Sequence, residues 1–311
     1  MQPSHNPNSG LPQSGIGQVT GATRRFVQLR LPSGTTFSAK SSTKALDATV
    51  GDFAEYSLKG QEYFIERLHA RFNSLKRTYF GQQKVLAANA DLLLAVTAVG
   101  LLNTAFLDRI LVAAAVEHIP ACIVLNKIDQ DTGGTAIQML AAYSKPDIRI
   151  LPISALTAEG IETIHELLKT PKYSTIVLAG LSGVGKSTLL NRLIPGSDAK
   201  TGDLSIKSRQ GRQTTTHASA YNYARQPEPP ALVIDLPGLS NFGLSHLTAQ
   251  QVRDAFPEFL LYQVQCQFSN CFHLNEPECA VKRSVQEGRI APSRYASYTE
   301  IIEEINAAKP Y

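Results

Sequence analysis

The stretch Gly180-Leu-Ser-Gly-Val-Gly-Lys-Ser187 decides the fold class of this 311-residue chain. It matches a P-loop, in which a glycine and four further residues precede Gly-Lys-Ser/Thr. An apolar run at residues 176–179 predicts a strand before it, and residues 188–193 predict a helix after it. The backbone N–H groups of such a loop, together with the helix N-terminus, surround phosphate groups. The stretch therefore predicts a nucleotide-phosphate site in an α/β domain.

Two side chains of this P-loop are expected to carry chemistry. Lys186 would reach the β- and γ-phosphates, and the hydroxyl of Ser187 would coordinate Mg²⁺. The other contacts would come from the backbone of the loop. The predicted phosphate-binding residues are Gly180, Ser182, Gly183, Val184, Gly185, Lys186, Ser187 and Thr188.

A second motif, Asn126-Lys-Ile-Asp129, follows an apolar run at residues 122–125 and predicts specificity for guanine. The carboxylate of Asp129 would accept two hydrogen bonds from N1 and N2 of the base. Adenine lacks this donor pair, so a buried Asp129 left without partners would reject ATP. Asn126 is expected to brace neighbouring loops, and the stem of Lys127 to pack along the base. Alone, these four residues are also compatible with a simple strand-to-helix turn.

Two further motifs come at the ends of predicted strands. Ser154-Ala155-Leu156 follows one strand, and in GTPases such a loop offers a backbone N–H to O6 of guanine. Asp235-Leu-Pro-Gly238 follows another and matches Asp-x-x-Gly. Asp235 would hold Mg²⁺ through water, and the N–H of Gly238 would sense the γ-phosphate. Asp235–Phe242 is therefore the expected second switch.

A polar segment between the P-loop and Asp235 has the features of a first switch loop. It reads Gly211-Arg-Gln-Thr-Thr-Thr-His217 and has Lys207 and Arg209 close by. One of its threonines, assigned here as Thr215, is the expected ligand of Mg²⁺ and of the γ-phosphate. The alternative is an ordinary polar surface loop.

The order of these motifs is unusual, because the base-recognition motifs precede the P-loop. Strands alternate with helical stretches over residues 92–179, which predicts a parallel sheet covered on both faces. Ligand loops of a parallel sheet lie at one edge, so a circular permutation of the chain preserves the site. We therefore predict a circularly permuted P-loop GTPase domain over residues 85–243, which binds GTP and GDP with Mg²⁺.

Short strands separated by turns precede this domain. Val27, Leu29 and Leu31 alternate with polar residues, as in a half-buried strand. Five short strands in about fifty residues suit an all-β OB-fold barrel, and an SH3-like barrel would give the same pattern. The expected segments are a disordered lead-in at 1–14, the barrel at 15–70 and a basic connector at 71–84.

The charge is uneven along the chain. Residues 1–84 hold eleven Lys/Arg and five Asp/Glu, whereas the net charge of the whole chain is +4. Such a basic section favours a phosphate-backbone partner, although a solvated basic surface would look the same. No apolar run approaches the roughly 20 residues needed to span a bilayer, and the N-terminus lacks the features of a signal peptide. These features predict a cytoplasmic protein without a membrane partner.

The C-terminal segment, residues 244–311, holds Cys266, Cys271, His273 and Cys279, spaced C-x4-C-x-H-x5-C. Three thiolates and an imidazole are a donor set that structural zinc uses in tetrahedral sites. A disulfide is disfavoured in the cytoplasm, and free buried thiols are the alternative. We predict a single structural Zn²⁺ in a small helical domain.

This order of motifs, with a barrel before and a C-x4-C-x-H-x5-C tail after, resembles the RsgA (YjeQ) family of circularly permuted GTPases. Further similar stretches are Asn89-Ala-Asp91 and Cys271-Phe-His-Leu-Asn-Glu-Pro277. The resemblance implies an RNA-binding OB-fold, a GTPase domain and a zinc domain. It also implies GTP hydrolysis stimulated by the small ribosomal subunit, contact with its rRNA, and action late in its maturation. We expect the protein to act as a monomer.

The chain departs from the family pattern at Gln213, where the resemblance implies a histidine implicated in hydrolysis. Because Gln213 lies beside Thr215, its amide is expected to orient the attacking water instead. The alternative is a Gln213 that points to solvent. Leu239 stands where many GTPases keep a water-orienting glutamine, which is normal for the family and implies slow intrinsic turnover.

Two other functions remain open from the sequence. The first is an rRNA-binding assembly module in which GTP is only a conformational ligand and hydrolysis is negligible, as the residues Gln213 and Leu239 allow. The second is a permuted GTPase that serves the large subunit. The barrel and the Cys₃His tail argue against the second.

Overall fold

The N-terminal strands close into a five-stranded barrel: β1 (Ser14–Ala22), β2 (Phe26–Arg30), β3 (Thr36–Ser41), β4 (Phe53–Lys59) and β5 (Glu62–Leu68). Their order is β1-β2-β3-β5-β4, and β4 pairs back onto β1. Strands β3 and β5 run parallel and the other pairs antiparallel. This closed Greek-key arrangement is the OB-fold, so the SH3-like alternative is wrong. The computed structural model describes residues 11–23, 25–41, 47–144, 148–197, 199, 218–226, 229–239 and 241–308.

A β-hairpin, β6 (Ser74–Tyr79) and β7 (Gln82–Ala88), occupies much of the segment expected to be a basic connector. One end of the hairpin is buried through Leu75 and Ala87, while Phe80 at the turn is 88% exposed. The strands were missed because lysine, arginine and glutamine fill most of their outward positions. The connector is thus a folded element that packs against the next domain.

A six-stranded sheet forms the centre of the molecule. Its strands are β8 (Leu92–Ala98), β9 (Ala121–Asn126), β10 (Arg149–Pro152), β11 (Thr175–Gly180), β12 (Ser219–Tyr223) and β13 (Ala231–Asp235). The order is β10-β9-β8-β11-β13-β12, and every pair is parallel except β12 with β13. The antiparallel edge strand β12 was not predicted, because only Tyr223 among its residues is buried.

Helices cover both faces of this sheet. They are α1 (Thr104–Val116), α2 (Thr135–Ser144), α3 (Ile161–Lys169) and α4 (Lys186–Leu193). Alternate residues of each central strand enter different cores, because side chains of a strand alternate between its faces. One core takes Leu93, Ala95, Val177, Ala179 and Ile234, and the other takes Leu92, Leu94, Ile176, Leu178 and Val233. In the described part of the chain, no helix has the length and apolar character needed to cross a membrane.

The C-terminal segment is helical: α5 (Ala249–Asp254), α6 (Pro257–Gln263), α7 (Ala280–Gln286) and α8 (Pro292–Ala308). It shares a hydrophobic core with α1 of the central domain, to which α8 contributes Tyr298, Ile301, Ile302 and Ile305. A buried ion-pair cluster lies at the same junction. Arg294 of α8 pairs with Asp108 of α1 and with Glu258 of α6. The tail is therefore packed firmly onto the central domain.

Candidate functional site

The P-loop lies at the carboxyl edge of the sheet, between β11 and α4. Gly185 has a φ of +92°, and a Cβ atom there would lie 2.3 Å from Nδ2 of Asn126. A side chain at position 185 would therefore strain the backbone and displace Asn126 from its place. This glycine lets the loop close against the base-recognition motif.

Lys186 is buried in the first turn of α4, with 7% of its surface exposed. Its Nζ donates hydrogen bonds to the carbonyl oxygens of Gly180, at 2.9 Å, and Leu181, at 3.1 Å. Burial lowers the pKa of Lys186, while the charge of Asp235 opposes this shift. The ammonium group is thus held over the loop by bonds to neutral carbonyls.

Asp235 ends β13 beside this lysine. Burial raises the pKa of Asp235 to about 6, although the nearby charge of Lys186 lowers it. Its Oδ1 atom is buried and has no hydrogen-bond partner among the described residues. An orphaned carboxylate oxygen is costly in a protein interior, and it fits a site that a hydrated cation completes.

The Asp-x-x-Gly segment touches the P-loop directly. A Cβ atom on Gly238 would lie 3.0 Å from Cα of Ser182, so a larger residue would push the two loops apart. The N–H of Leu239 donates to the carbonyl of Gly180 at 3.3 Å. The predicted second switch and the P-loop therefore form one surface. Gln213, Thr215 and the rest of the predicted first switch lie outside the described residues.

Asn126 connects three of the predicted loops. Its Nδ2 donates to the carbonyl of Val184 at 2.9 Å, while its Oδ1 accepts from the N–H groups of Lys127 at 2.8 Å and Ala155 at 2.9 Å. Lys127 adopts a φ of +64° and donates from Nζ to the carbonyl of Gly183 at 2.9 Å. The bracing function expected of Asn126 thus has a specific geometry, in which a single amide holds the P-loop and both base-recognition loops.

The other residues predicted to contact the base are Asp129 and the 154–156 loop, and Asp129 differs from expectation. Asp129 is exposed in a 3-10 turn, Ile128–Gln130, rather than buried. A carboxylate that must meet an incoming base is accessible until the base covers it. Ser154 is fully buried, and its Oγ accepts from the N–H of Thr157 at 3.1 Å. Ser187 and Thr188 lie partly exposed in the first turn of α4.

Residues that no sequence motif identified make contacts with the segment that follows the predicted second switch. The N–H of Thr78 on the hairpin donates to the carbonyl of Gly243 at 2.7 Å. Glu304 of α8 accepts from the N–H of Leu244 at 2.6 Å through Oε1. Elsewhere in the candidate site, Arg192 on α4 donates to the carbonyls of Ala155 and Leu156, in the loop predicted to contact the base. Such pairs join residues far apart in sequence, and nothing in the local sequence marks them.

The four predicted metal ligands converge in the C-terminal segment. One ligand atom each from Cys266, Cys271, His273 and Cys279 all lie within 4.8 Å of one another. Sγ of Cys279 lies 3.4 Å from Nδ1 of His273 and 4.0 Å from Sγ of Cys266. Ligand atoms about 2.3 Å from a tetrahedral ion would be about 3.8 Å apart. The cluster therefore has the size that a metal requires.

These candidate ligands lie in a partly desolvated part of the tail. Burial raises the pKa of the Cys271 thiol to about 12 and lowers the pKa of His273. Bonds from the tail fix the loop: Oη of Tyr295 donates to the carbonyl of His273 at 2.6 Å. Three thiols and an imidazole, held together inside a core, form a site that can bind a metal ion.

Comparison with known proteins gives consistent relationships. The RsgA GTPase family model matches residues 68–245. The small ribosomal subunit biogenesis GTPase RsgA of Bordetella pertussis is 38% identical over 303 residues, which cover 95% of this chain and 98% of that protein.

Solved structures have the same architecture. The crystal structure of YjeQ from Thermotoga maritima is 30% identical, with a TM-score of 0.73 over 94% of this chain and 99% of that one. The structure of YloQ, a circularly permuted GTPase, has a TM-score of 0.70 over 97% and 99% of the two chains. Its 23% identity supports the fold alone. The family match over more than half of the chain, the near full-length match to a relative and the permuted fold agree, so this chain belongs to the RsgA GTPase family.

Proposed function

We propose that this protein hydrolyses GTP to GDP and phosphate while bound to the small ribosomal subunit, and acts late in the maturation of that subunit. The observation that carries the proposed GTP site is the position of the Asn126 side-chain amide, which joins the P-loop to both loops predicted to recognise the base. The relative from Bordetella pertussis, 98% of which is matched by this chain, is named a small ribosomal subunit biogenesis GTPase.

The nucleotide would lie along the carboxyl edge of the sheet. Asp129 would read N1 and N2 of guanine, with Lys127 along the base and the 154–156 loop at O6. The P-loop N–H groups would surround the phosphates, as in other P-loops. The residues assigned to nucleotide binding are Asn126, Lys127, Asp129, Ser154, Ala155, Gly180, Ser182, Gly183, Val184, Gly185, Lys186, Ser187, Thr188 and Asp235.

Catalysis would rest on charge and position. When the phosphates enter, Nζ of Lys186 exchanges the carbonyls of Gly180 and Leu181 for phosphate oxygens, where its charge offsets the charge that develops on the transferred group. The N–H of Gly238 would contact the γ-phosphate, and Gln213 would orient the water. Mg²⁺, held by Ser187 and Thr215 and through water by Asp235, would neutralise phosphate charge.

The flanking segments would grip the ribosomal subunit. The barrel at 15–70 and the segment 71–84 belong to the basic section of the chain, which suits rRNA phosphates. The segment 244–311 would hold a single structural Zn²⁺ on Cys266, Cys271, His273 and Cys279. We assign residues 85–243 to the GTPase domain, residues 1–14 to a lead-in, and the protein to the cytoplasm as a monomer.

Turnover of GTP with and without purified small subunits tests the function. We expect slow hydrolysis alone and a large stimulation by small subunits, with no stimulation by large subunits. Negligible hydrolysis in the presence of small subunits would favour a binding module instead. Stimulation by large subunits and not by small subunits would favour the alternative of a GTPase that serves the large subunit.

Cosedimentation with small subunits tests the nucleotide switch. The exit of the second switch is bonded to the hairpin through Thr78 and to the tail through Glu304, so a γ-phosphate contact at Gly238 would alter both. We expect tighter binding with a non-hydrolysable GTP analogue than with GDP, and weaker binding at high salt. By linkage, the subunit then raises the affinity for the GTP state. Equal affinity with both nucleotides contradicts a switch.

Asp129→Asn tests base recognition. The amide of asparagine offers an N–H donor where the carboxylate offered a second acceptor, and xanthine has a carbonyl where guanine has its 2-amino group. We therefore expect the affinity for guanine nucleotides to fall by about 100-fold or more and xanthine nucleotides to be preferred. Binding constants for GDP and XDP, measured by calorimetry, give the result. Asp131→Asn, two residues further along the chain, is the matched control and should leave both constants unchanged. Equal affinity of the unsubstituted protein for ATP and GTP would refute guanine specificity itself.

A further inference from the structure

Arg192 connects the phosphate-binding helix to the loop expected to contact the base. It lies in the last turn of α4, the helix that begins in the P-loop. Its Nε donates to the carbonyl of Ala155 at 3.3 Å, and its Nη2 donates to the carbonyl of Leu156 at 2.8 Å. No salt bridge joins it to a carboxylate within the described residues. The described contacts of the guanidinium are therefore hydrogen bonds to backbone carbonyls of the 154–156 loop.

These two bonds orient the peptide groups of the loop. In a trans peptide, the carbonyl and the following N–H point in opposite directions. Holding the carbonyl of Ala155 therefore fixes the direction of the Leu156 N–H, and holding the carbonyl of Leu156 fixes the N–H of Thr157. The latter donates to Oγ of Ser154 at 3.1 Å.

The N–H groups of this loop differ in whether they are already engaged. The Ala155 N–H donates to Oδ1 of Asn126 at 2.9 Å, and the Ser154 N–H donates to the carbonyl of Glu159 at 2.9 Å. The N–H of Leu156 makes no hydrogen bond in the described part of the chain. The side chain of Leu156 is 71% exposed, so this residue lies at the open surface of the loop. Leu156 thus carries the donor that is free for a ligand.

We propose that Arg192 is a positioning residue for guanine recognition, which holds the loop so that the Leu156 N–H meets the carbonyl oxygen at purine position 6. This inference rests on the proposed GTP site. It makes α4 a rigid link about 12 Å long between phosphate and base. The competing explanation is that Arg192 only stabilises the helix, since a cation in the last turn interacts favourably with the helix dipole.

The test compares GDP with 2-aminopurine riboside diphosphate, which keeps the 2-amino group but lacks the oxygen at position 6 and, with it, the hydrogen on N1. The analogue should therefore bind more weakly than GDP to every variant, and the quantity compared is how much Arg192→Met changes each affinity. For Arg192→Met, we expect GDP affinity to fall by about 3- to 10-fold, the range of one hydrogen bond. The affinity for the analogue should stay within about twofold, because it has no acceptor for the misplaced donor. Arg192→Lys should recover part of the GDP affinity.

Lys169→Met is the matched control, since it removes an exposed cation from the neighbouring helix α3 and should change neither constant. If Arg192→Met weakens both nucleotides equally, or weakens neither, Arg192 has only a structural function and the inference is wrong. A melting temperature that falls without a change in the GDP-to-analogue ratio would overturn the inference in the same way. Failure of the unsubstituted protein to bind GDP would instead refute the proposed function.

Discussion

Lys186→Ala is expected to lower the affinity for GDP and GTP by about 100-fold or more. The ammonium group is buried, and its bonds to two neutral carbonyls can be exchanged for bonds to phosphate oxygens. A charge-assisted hydrogen bond contributes about 1.5–3 kcal/mol, and about 1.4 kcal/mol corresponds to a tenfold change in affinity. Titration of the nucleotide-free protein with fluorescent GDP in the presence of Mg²⁺ measures the loss.

Lys127→Ala is the matched control for this experiment. Lys127 also donates from Nζ to a P-loop carbonyl, that of Gly183, but it lies nearer the base and is partly exposed. We expect a loss of about tenfold or less, since an exposed contact is weaker. Circular dichroism of both variants establishes that they are folded. Unchanged GDP affinity in folded Lys186→Ala would refute the assignment of residues 180–187 to phosphate binding.

The central sheet was predictable because its strands are buried on both faces. Residues 92–98 and 175–180 are almost entirely apolar, and each is followed by a helical stretch, so their type and order could be read locally. The edge strand β12 and the hairpin β6–β7 escaped prediction for the opposite reason. Their exposed positions carry polar and charged residues, and their pairing depends on distant strands.

The residues of the candidate site could be proposed from sequence where they belong to motifs, and less so between the motifs. The residues of phosphate-binding and metal-binding motifs have fixed spacings, and these spacings can be recognised in a single sequence. The exposure of Asp129 was not foreseen, because burial of that carboxylate depends on a ligand rather than on the chain. The contacts of Arg192 and Glu304 join segments 36 and 60 residues away, and no local pattern records such a pairing.

The permutation places the proposed nucleotide site next to the C-terminal segment along the chain. Because the predicted second switch, residues 235–242, lies at the end of the central domain, the chain passes from it directly towards α5. Glu304 binds this exit from α8, and Arg109 of α1 pairs with Glu304. A displacement at Gly238 would therefore be transmitted to a folded tail through the covalent chain and through these bonds.

Removal of the metal is expected to unfold the C-terminal segment. The proposed zinc site ties α7 to α8, since Cys279 is the N-cap of α7 and Tyr295 of α8 donates to the carbonyl of His273. Metal binding contributes about 10–16 kcal/mol to the folding of small zinc domains. Without the ion, burial keeps the Cys271 thiol protonated, with its pKa raised to about 12. A protonated thiol is only a weak hydrogen-bond partner, so it replaces little of the binding energy of the metal.

Cys279→Ser should consequently lose the bound zinc and lower the melting temperature by about 10 °C or more, at about 2–4 °C per kcal/mol. Metal analysis of freshly purified protein and thermal unfolding measure the two effects. Cys122→Ser is the matched control: Cys122 is a buried cysteine of β9 outside the cluster, so this variant should keep its zinc. Because the shared core extends to α1, Cys279→Ser should also weaken the dependence of subunit binding on the γ-phosphate. Unsubstituted protein that lacks zinc and melts at the same temperature with and without a strong chelator would show that these thiols are free.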